Sequence, residues 1–188
     1  DREGGVDNLY RKPASGAEEE KLLWKSDDDK SPTCWSSDRR FLLYTAASTR
    51  NNGDLWLLPL EGDRKPIPFL RTEFNEFDGR FSPDMRWVAY ASDESGSNEI
   101  YVQGLSKIST GASVEKVGKW RISMSGGIGP RWRGDGKELY YFDQSGKFWA
   151  VGITGGSVFQ KETPRCLFQM PVSLLPEQTI PDSLTWDV

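Results

Sequence analysis

Three aspartates, Asp38, Asp84 and Asp135, recur 46 and 51 residues apart. Carboxylates are the obvious candidates for acid–base chemistry, because the chain contains no histidine. That absence removes a Ser-His-Asp or Cys-His mechanism within this chain, and with it the commonest zinc ligand. The three acids lie on equivalent turns of a repeat, so they are spread apart and do not gather on one substrate. In such a turn an Asp accepts backbone N–H bonds. The expected role of Asp38, Asp84 and Asp135 is structural, and no residue is assigned to catalysis.

The other chemically suggestive stretches are weaker. DDDK at Asp27 to Lys30 could be a cation site, but calcium loops alternate their ligands around a Gly turn. A solvated loop is the expectation, with no metal bound. GGIGP at Gly126 to Pro130 lacks the Lys-Ser/Thr ending of a phosphate loop, and no helix follows it. A lyase or glycosidase would need paired carboxylates, and none sits in a local motif. No cofactor is expected. Cys34 falls on an inner strand and Cys166 on an outer strand of a different sheet, at ~4.8 Å per strand. Two free thiols are expected, since a bridge needs Cα atoms within about 7 Å.

The elements that must position these residues come from the repeat. WSSDRRFLLYTAASTRNNGDLWLLPL opens at Trp35, FSPDMRWVAYASDESGSNEIYVQGL at Phe81 and WRGDGKELYYFDQSGKFWAVGI at Trp132. Each copy opens on an aromatic, carries the Asp three residues on, then runs strand, polar loop, aromatic strand. A second column, Tyr10, Trp56, Tyr101 and Trp149, has steps of 46, 45 and 48 residues. Repeats of this length point to the blades of a β-propeller. Strands are predicted at 31–36, 40–45, 55–60 and 67–71; at 79–82, 87–92, 99–104 and 115–120; and at 131–133, 138–143, 147–153 and 165–169. Pro66 and Pro68 mark the strand at 67–71 as an edge. Turns are expected at Asn51 to Gly53, at Ser95 to Asn98 and at Gly155-Gly156, with a polar insertion at 106–113. Strands around 8–11 and 21–25 precede the copies, and 183–188, SLTWDV, reads as a further inner strand.

Composition fits this reading. The chain has 188 residues, 24 basic against 28 acidic for a net charge of −4, and no basic stripe of the kind that binds nucleic acid. No run approaches the ~18 apolar residues of a membrane span. The opening DREGGVDNLY does not read as a signal peptide. Eight tryptophans fall mostly in the repeat, which suits packing between sheets.

WSSDRRFLLY, FSPDMRWVAY and WRGDGKELYY resemble the W-S-P-D-G-K-x-[ILV]-x-[YF] repeat of TolB-like β-propellers, such as those fused to bacterial serine/threonine kinases and related sensor proteins. The resemblance runs from about Asp7 to Val188. It implies an all-β propeller of four-stranded antiparallel blades and an extracytoplasmic or periplasmic setting. Only Asp135-Gly136 keeps the family's Asp-Gly pair; Asp38-Arg39 and Asp84-Met85 lack the glycine. The expected organisation is one propeller domain over 1–188. An outer half-blade at 1–30 is followed by blades at 31–72, 73–125 and 126–170, with an inner strand at 179–188. The incomplete blade closes internally, through 183–188 beside the N-terminal strands, or externally, through a second copy or the remainder of a larger propeller.

Function in a propeller is grafted onto loops around the channel. The first expectation is a non-catalytic binding or sensor scaffold that docks a protein, peptide or glycan on one face. Its channel-mouth candidates are Asp29, Lys30, Glu76, Asp78 and Arg131. The alternative implied by the resemblance is a gating propeller of a prolyl-oligopeptidase-type peptidase, with the catalytic residues outside this chain.

Overall fold

The computed structural model describes residues 5–47, 53–109, 113–154 and 158–171, and every regular element among them is a β-strand. β1 (Leu9–Arg11) and β2 (Lys21–Trp24) pair as a two-stranded sheet. β3 (Asp29–Trp35), β4 (Phe41–Ala47), β5 (Asp54–Pro59) and β6 (Ile67–Leu70) form the first four-stranded antiparallel sheet in chain order. β7 (Glu76–Phe81), β8 (Trp87–Ser92), β9 (Glu99–Ser109) and β10 (Ser113–Arg121) form the second. In the third, β11 (Ile128–Trp132), β12 (Glu138–Phe142) and β13 (Lys147–Thr154) are followed by two strands on the free edge of β13. These are β14 (Gln160–Lys161), which the sequence does not suggest, and β15 (Arg165–Gln169). The turn expected at Gly155-Gly156 and the strand expected at 183–188 lie outside the described residues, as do Asn51 and Asn52 of the first copy's loop.

The sheets stack blade on blade. β4 and β8 are buried over nearly their whole length, because each lies mid-sheet with a neighbouring sheet on either face. Three apolar clusters fill the seams. Leu9 of β1 meets Leu42, Tyr44 and Leu58 of the first blade. Leu43, Leu55 and Phe69 meet Val88, Tyr90 and Tyr101 of the second. Trp87, Ile100 and Val102 meet Leu139, Tyr141 and Val151 of the third. The approach is tight at Gly79, where a Cβ would come within 2.7 Å of Leu43 Cδ2.

The aromatic column pairs across strands in one register: Tyr44 with Trp56, Tyr90 with Tyr101, Tyr141 with Trp149. The last two pairs stack, with centroids 5.8 and 6.4 Å apart. Tyr101 is fully buried, whereas Trp56 and Trp149 are half-buried. The polar insertion expected at 106–113 is corrected by the structure. Residues 106–109 and Ser113 lie on the two strands of a long hairpin, in which Ser113 pairs with Ser109 and Glu115 with Lys107. The hairpin folds over the first blade, where Ile108 and Val114 join the second cluster and Lys116 Nζ donates to Phe69 O at 2.8 Å. Cys34 and Cys166 are both free thiols.

The hairpin turn of each copy has one geometry. Asp38, Asp84 and Asp135 Oδ1 accept the N–H two residues on, from Arg40, Arg86 and Lys137, at 3.0, 3.1 and 2.9 Å. Ser36 and Ser82 donate to the same carboxylates at 2.6 and 2.7 Å; Arg133 Nε takes that place in the third copy at 2.7 Å. The residue after each Asp is left-handed: Arg39 at φ 58, Met85 at φ 61, Gly136 at φ 73. Only glycine takes that conformation without steric cost. Arg39→Gly should therefore raise stability by about 0.5–1 kcal/mol in urea melts. Met85→Gly should gain less, because Met85 also packs on the second cluster and its Sδ accepts Ser37 N–H at 3.4 Å. Lower stability in Arg39→Gly would contradict the strain.

Candidate functional site

The inner strand of each blade carries a bulge at the same place. Register shifts fall between Pro32 and Cys34 in β3, Phe77 and Arg80 in β7, and Ile128 and Arg131 in β11. Just past the bulge, Cys34, Arg80 and Arg131 occupy one repeat position, at steps of 46 and 51 residues. Asp78 and Gly129 are also equivalent, and both are left-handed, at φ 52 and φ 63. An Asp in that conformation is uncommon and strained; the second blade places a carboxylate where the third has glycine.

Asp78 is shared by two guanidinium groups. Arg80 Nη2 lies 3.0 Å from its Oδ1, and Arg131 Nη1 donates to both of its oxygens at 3.3 Å. Arg131 is only 7% exposed and also donates to Pro130 O at 2.8 Å. Arg80 Nε is buried and has no hydrogen-bond partner among the described residues. Burial lowers the pKa of Arg131, with the charge of Asp78 opposing. Burial pushes the Cys34 thiol up, which the backbone N–H of Phe81 and the charges of Arg80 and Arg131 only partly offset. The thiol is therefore neutral at physiological pH. Two guanidinium groups share one carboxylate in a half-buried place where the inner strands meet.

The remaining channel-mouth candidates are placed differently. Asp29 is exposed, and its Oδ1 accepts Asp7 N–H at 2.9 Å. Lys30 is 4% exposed; its ammonium donates to Asn8 Oδ1 at 3.2 Å, to Ser26 O at 3.0 Å and to Asp28 O. Glu76, its equivalent in the second blade, is 1% exposed and accepts the Thr72 hydroxyl through Oε1, while Oε2 has no partner. Lys30 and Glu76 thus lie inside the seams and not on a solvent-facing rim. Of the five, only Asp78 and Arg131 are brought together. Arg80 and Cys34 complete that cluster. The repeat spacing already puts them in the column of Arg131, but a residue's direction at a bulge is not readable from spacing. No group of three or more His, Cys, Asp or Glu among the described residues could hold a metal ion.

Burial raises the pKa of Glu76 above its ordinary 4.5, and the charge of Asp54 adds to this, while the Thr72 hydrogen bond opposes it. A carboxyl raised on folding binds its proton more tightly in the native state. Its contribution is fully present below about pH 4.5 and is lost as pH rises through the raised native value. Glu76→Gln, which keeps the shape without the charge, should equal the wild type in stability near pH 4 and exceed it at pH 7. Denaturant melts at the two pH values measure this; a variant less stable at pH 7 would show that the charged form is the one the fold needs.

No protein-family model and no curated protein matches the sequence. Among solved structures, the chain is similar to a putative TolB from Agrobacterium tumefaciens, at 19% identity and a TM-score of 0.60 over 85% of this chain. It is also similar to TolB from Acinetobacter baumannii, at 17% identity and a TM-score of 0.43 over 80% of this chain. The chain spans 57% and 47% of the lengths of those two proteins. With the blade order, seams and repeated turns described above, the fold is that of a TolB-like β-propeller.

Proposed function

We propose that this chain is a non-catalytic binding scaffold that takes a carboxylate-bearing segment of a protein or peptide at the inner strands. The observation that carries the reading is the sharing of Asp78 by Arg80 and Arg131. Arg80 Nε is buried without an acceptor among the described residues, and an unpaired guanidinium N–H is costly because desolvation is repaid only by good pairing. A carboxylate arriving from a partner would complete the pairing, and guanidinium groups suit it through bidentate hydrogen bonds. The strain at Asp78 fits a residue held for a task, as does the rigid strand scaffold beneath it. The thiol at the third position of the column adds no charge of its own. Asp29 is exposed and Lys30 and Glu76 are buried in the seams, so none of these three is part of the proposed site.

The test is anisotropy of a labelled linear peptide with Asp at its centre and a free C-terminus, against the same peptide with Asn and an amidated end. The acidic peptide should bind more tightly, and less so as salt rises. Arg80→Met should weaken it about tenfold or more, the scale of one charge-assisted hydrogen bond. Arg131→Met should do the same. Arg80 is the safer variant for folding, because Arg131 remains to neutralise Asp78. Equal binding of the two peptides, or an Arg80→Met protein that binds like the wild type, would overturn the proposal.

A further inference from the structure

A pocket of about 160 Å³ opens at the seam between the second and third blades, away from the inner-strand cluster. Met124, Tyr141, Asp143, Trp149 and Pro164 line it, and Met124 at its mouth is 76% exposed. Trp149 is the third-blade member of the aromatic column. In the first blade the guanidinium of Arg71 lies 5.9 Å from the ring centroid of Trp56. In the second the ammonium of Lys119 lies 4.9 Å from that of Tyr101. Among the described residues no Lys or Arg stands over Trp149. The nearby cations are committed elsewhere: Arg121 to Glu99 at 2.6 Å, and Lys161 to Arg121 O at 2.6 Å.

The pocket is prepared for positive charge. Asp143 accepts Trp149 Nε1–H at 2.9 Å, Ser145 N–H at 2.8 Å, Ser145 Oγ–H at 2.7 Å and Lys147 N–H at 3.0 Å. These bonds lock the indole and the carboxylate together. Burial alone would raise the pKa of Asp143, but its hydrogen bonds outweigh that and keep it ionised. The Tyr141 phenol is pushed up, first by burial and then by the charges of Glu99 and Asp143. Two aromatic rings beside a fixed carboxylate are the elements of ammonium recognition.

We propose that this pocket binds an organic cation, an alkylammonium or guanidinium group, against Trp149 and Tyr141 beside Asp143. The volume suits one group of about the size of benzene, which cavities near 150 Å³ accept. The outside cation takes the place that Arg71 and Lys119 fill over the equivalent rings. The ring faces and the carboxylate recognise the charge, and Met124 adapts around its stem.

The test follows the Trp149 indole N–H resonance in the ¹⁵N-labelled wild-type protein, assigned with Trp149→Phe. The probes are choline, N-acetyl-arginine methylamide and the neutral carbon isostere of choline. One of the cations should shift that resonance saturably and bind at least about fivefold more tightly than the isostere, as a cation–ring contact implies. Asp143→Asn should weaken it by roughly five- to tenfold. Preference for choline would assign the site to quaternary amines; preference for the arginine derivative would assign it to a basic side chain of a partner. Equal binding of the neutral isostere would overturn the proposal, as would a Trp149 resonance unmoved by both cations at about 100 mM, beyond any specific affinity. The wild-type comparison stands even if Asp143→Asn fails to fold.

Discussion

Each blade is tied to the one before it by the backbone N–H where its inner strand begins. Lys30 N–H donates to Asp7 O at 3.0 Å, Glu76 N–H to Gly53 O at 2.9 Å, and Gly127 N–H to Asn98 O at 2.8 Å. The side chains at the donor position are an ammonium, a carboxylate and a hydrogen, so the bond is a property of the backbone and not of the residue. A buried backbone donor must find an acceptor, and here the acceptor is the loop of the neighbouring sheet. This one contact sets the spacing of the inner strands. It therefore sets which residues past the bulges can meet.

The seams around that bond differ in charge, and the differences separate structure from function. The first seam places Lys30 against Asn8 Oδ1 and is satisfied within itself. In the last, Glu99 is held by Arg121 at 2.6 Å and by the Ser123 hydroxyl. The middle seam buries Glu76 and Asp54 together, and Arg71 Nε lies 3.7 Å from Asp54 Oδ2. Buried polar oxygens of Thr45, Glu76 and Tyr90 also have no hydrogen-bond partner among the described residues. The middle seam is thus the least satisfied junction. It is also the one that the long β9–β10 hairpin clamps from outside, through Lys116 and the apolar residues at its tip.

The two proposed sites follow one logic. A repeat sets a position three times over, and function enters where one copy departs from the rest. At the inner-strand column the departure is an Asp in a glycine conformation with two arginines for one carboxylate. At the aromatic column it is the third-blade ring, which among the described residues lacks the cation that covers the rings of the first and second blades.

The repeat was legible in the sequence because burial imposes it. The aromatic and Asp columns recur because each blade must bury the same face and turn the same corner. The four-stranded antiparallel sheets of the first two blades and the left-handed demand at Arg39 and Met85 follow from that. Spacing could not decide direction. Lys30 and Glu76 look like rim charges by position, yet the inner strand begins inside the seam and turns them inward. The hydrophilic stretch 106–113 looks like a loop, yet a neighbouring blade supplies the surface that keeps its flanks paired as strands. Whether Arg80 and Arg131 meet on Asp78 depends on bulges one residue long, and a slip of one residue reverses the facing of a strand. Local sequence determined the blades; only their packing decided which charges met.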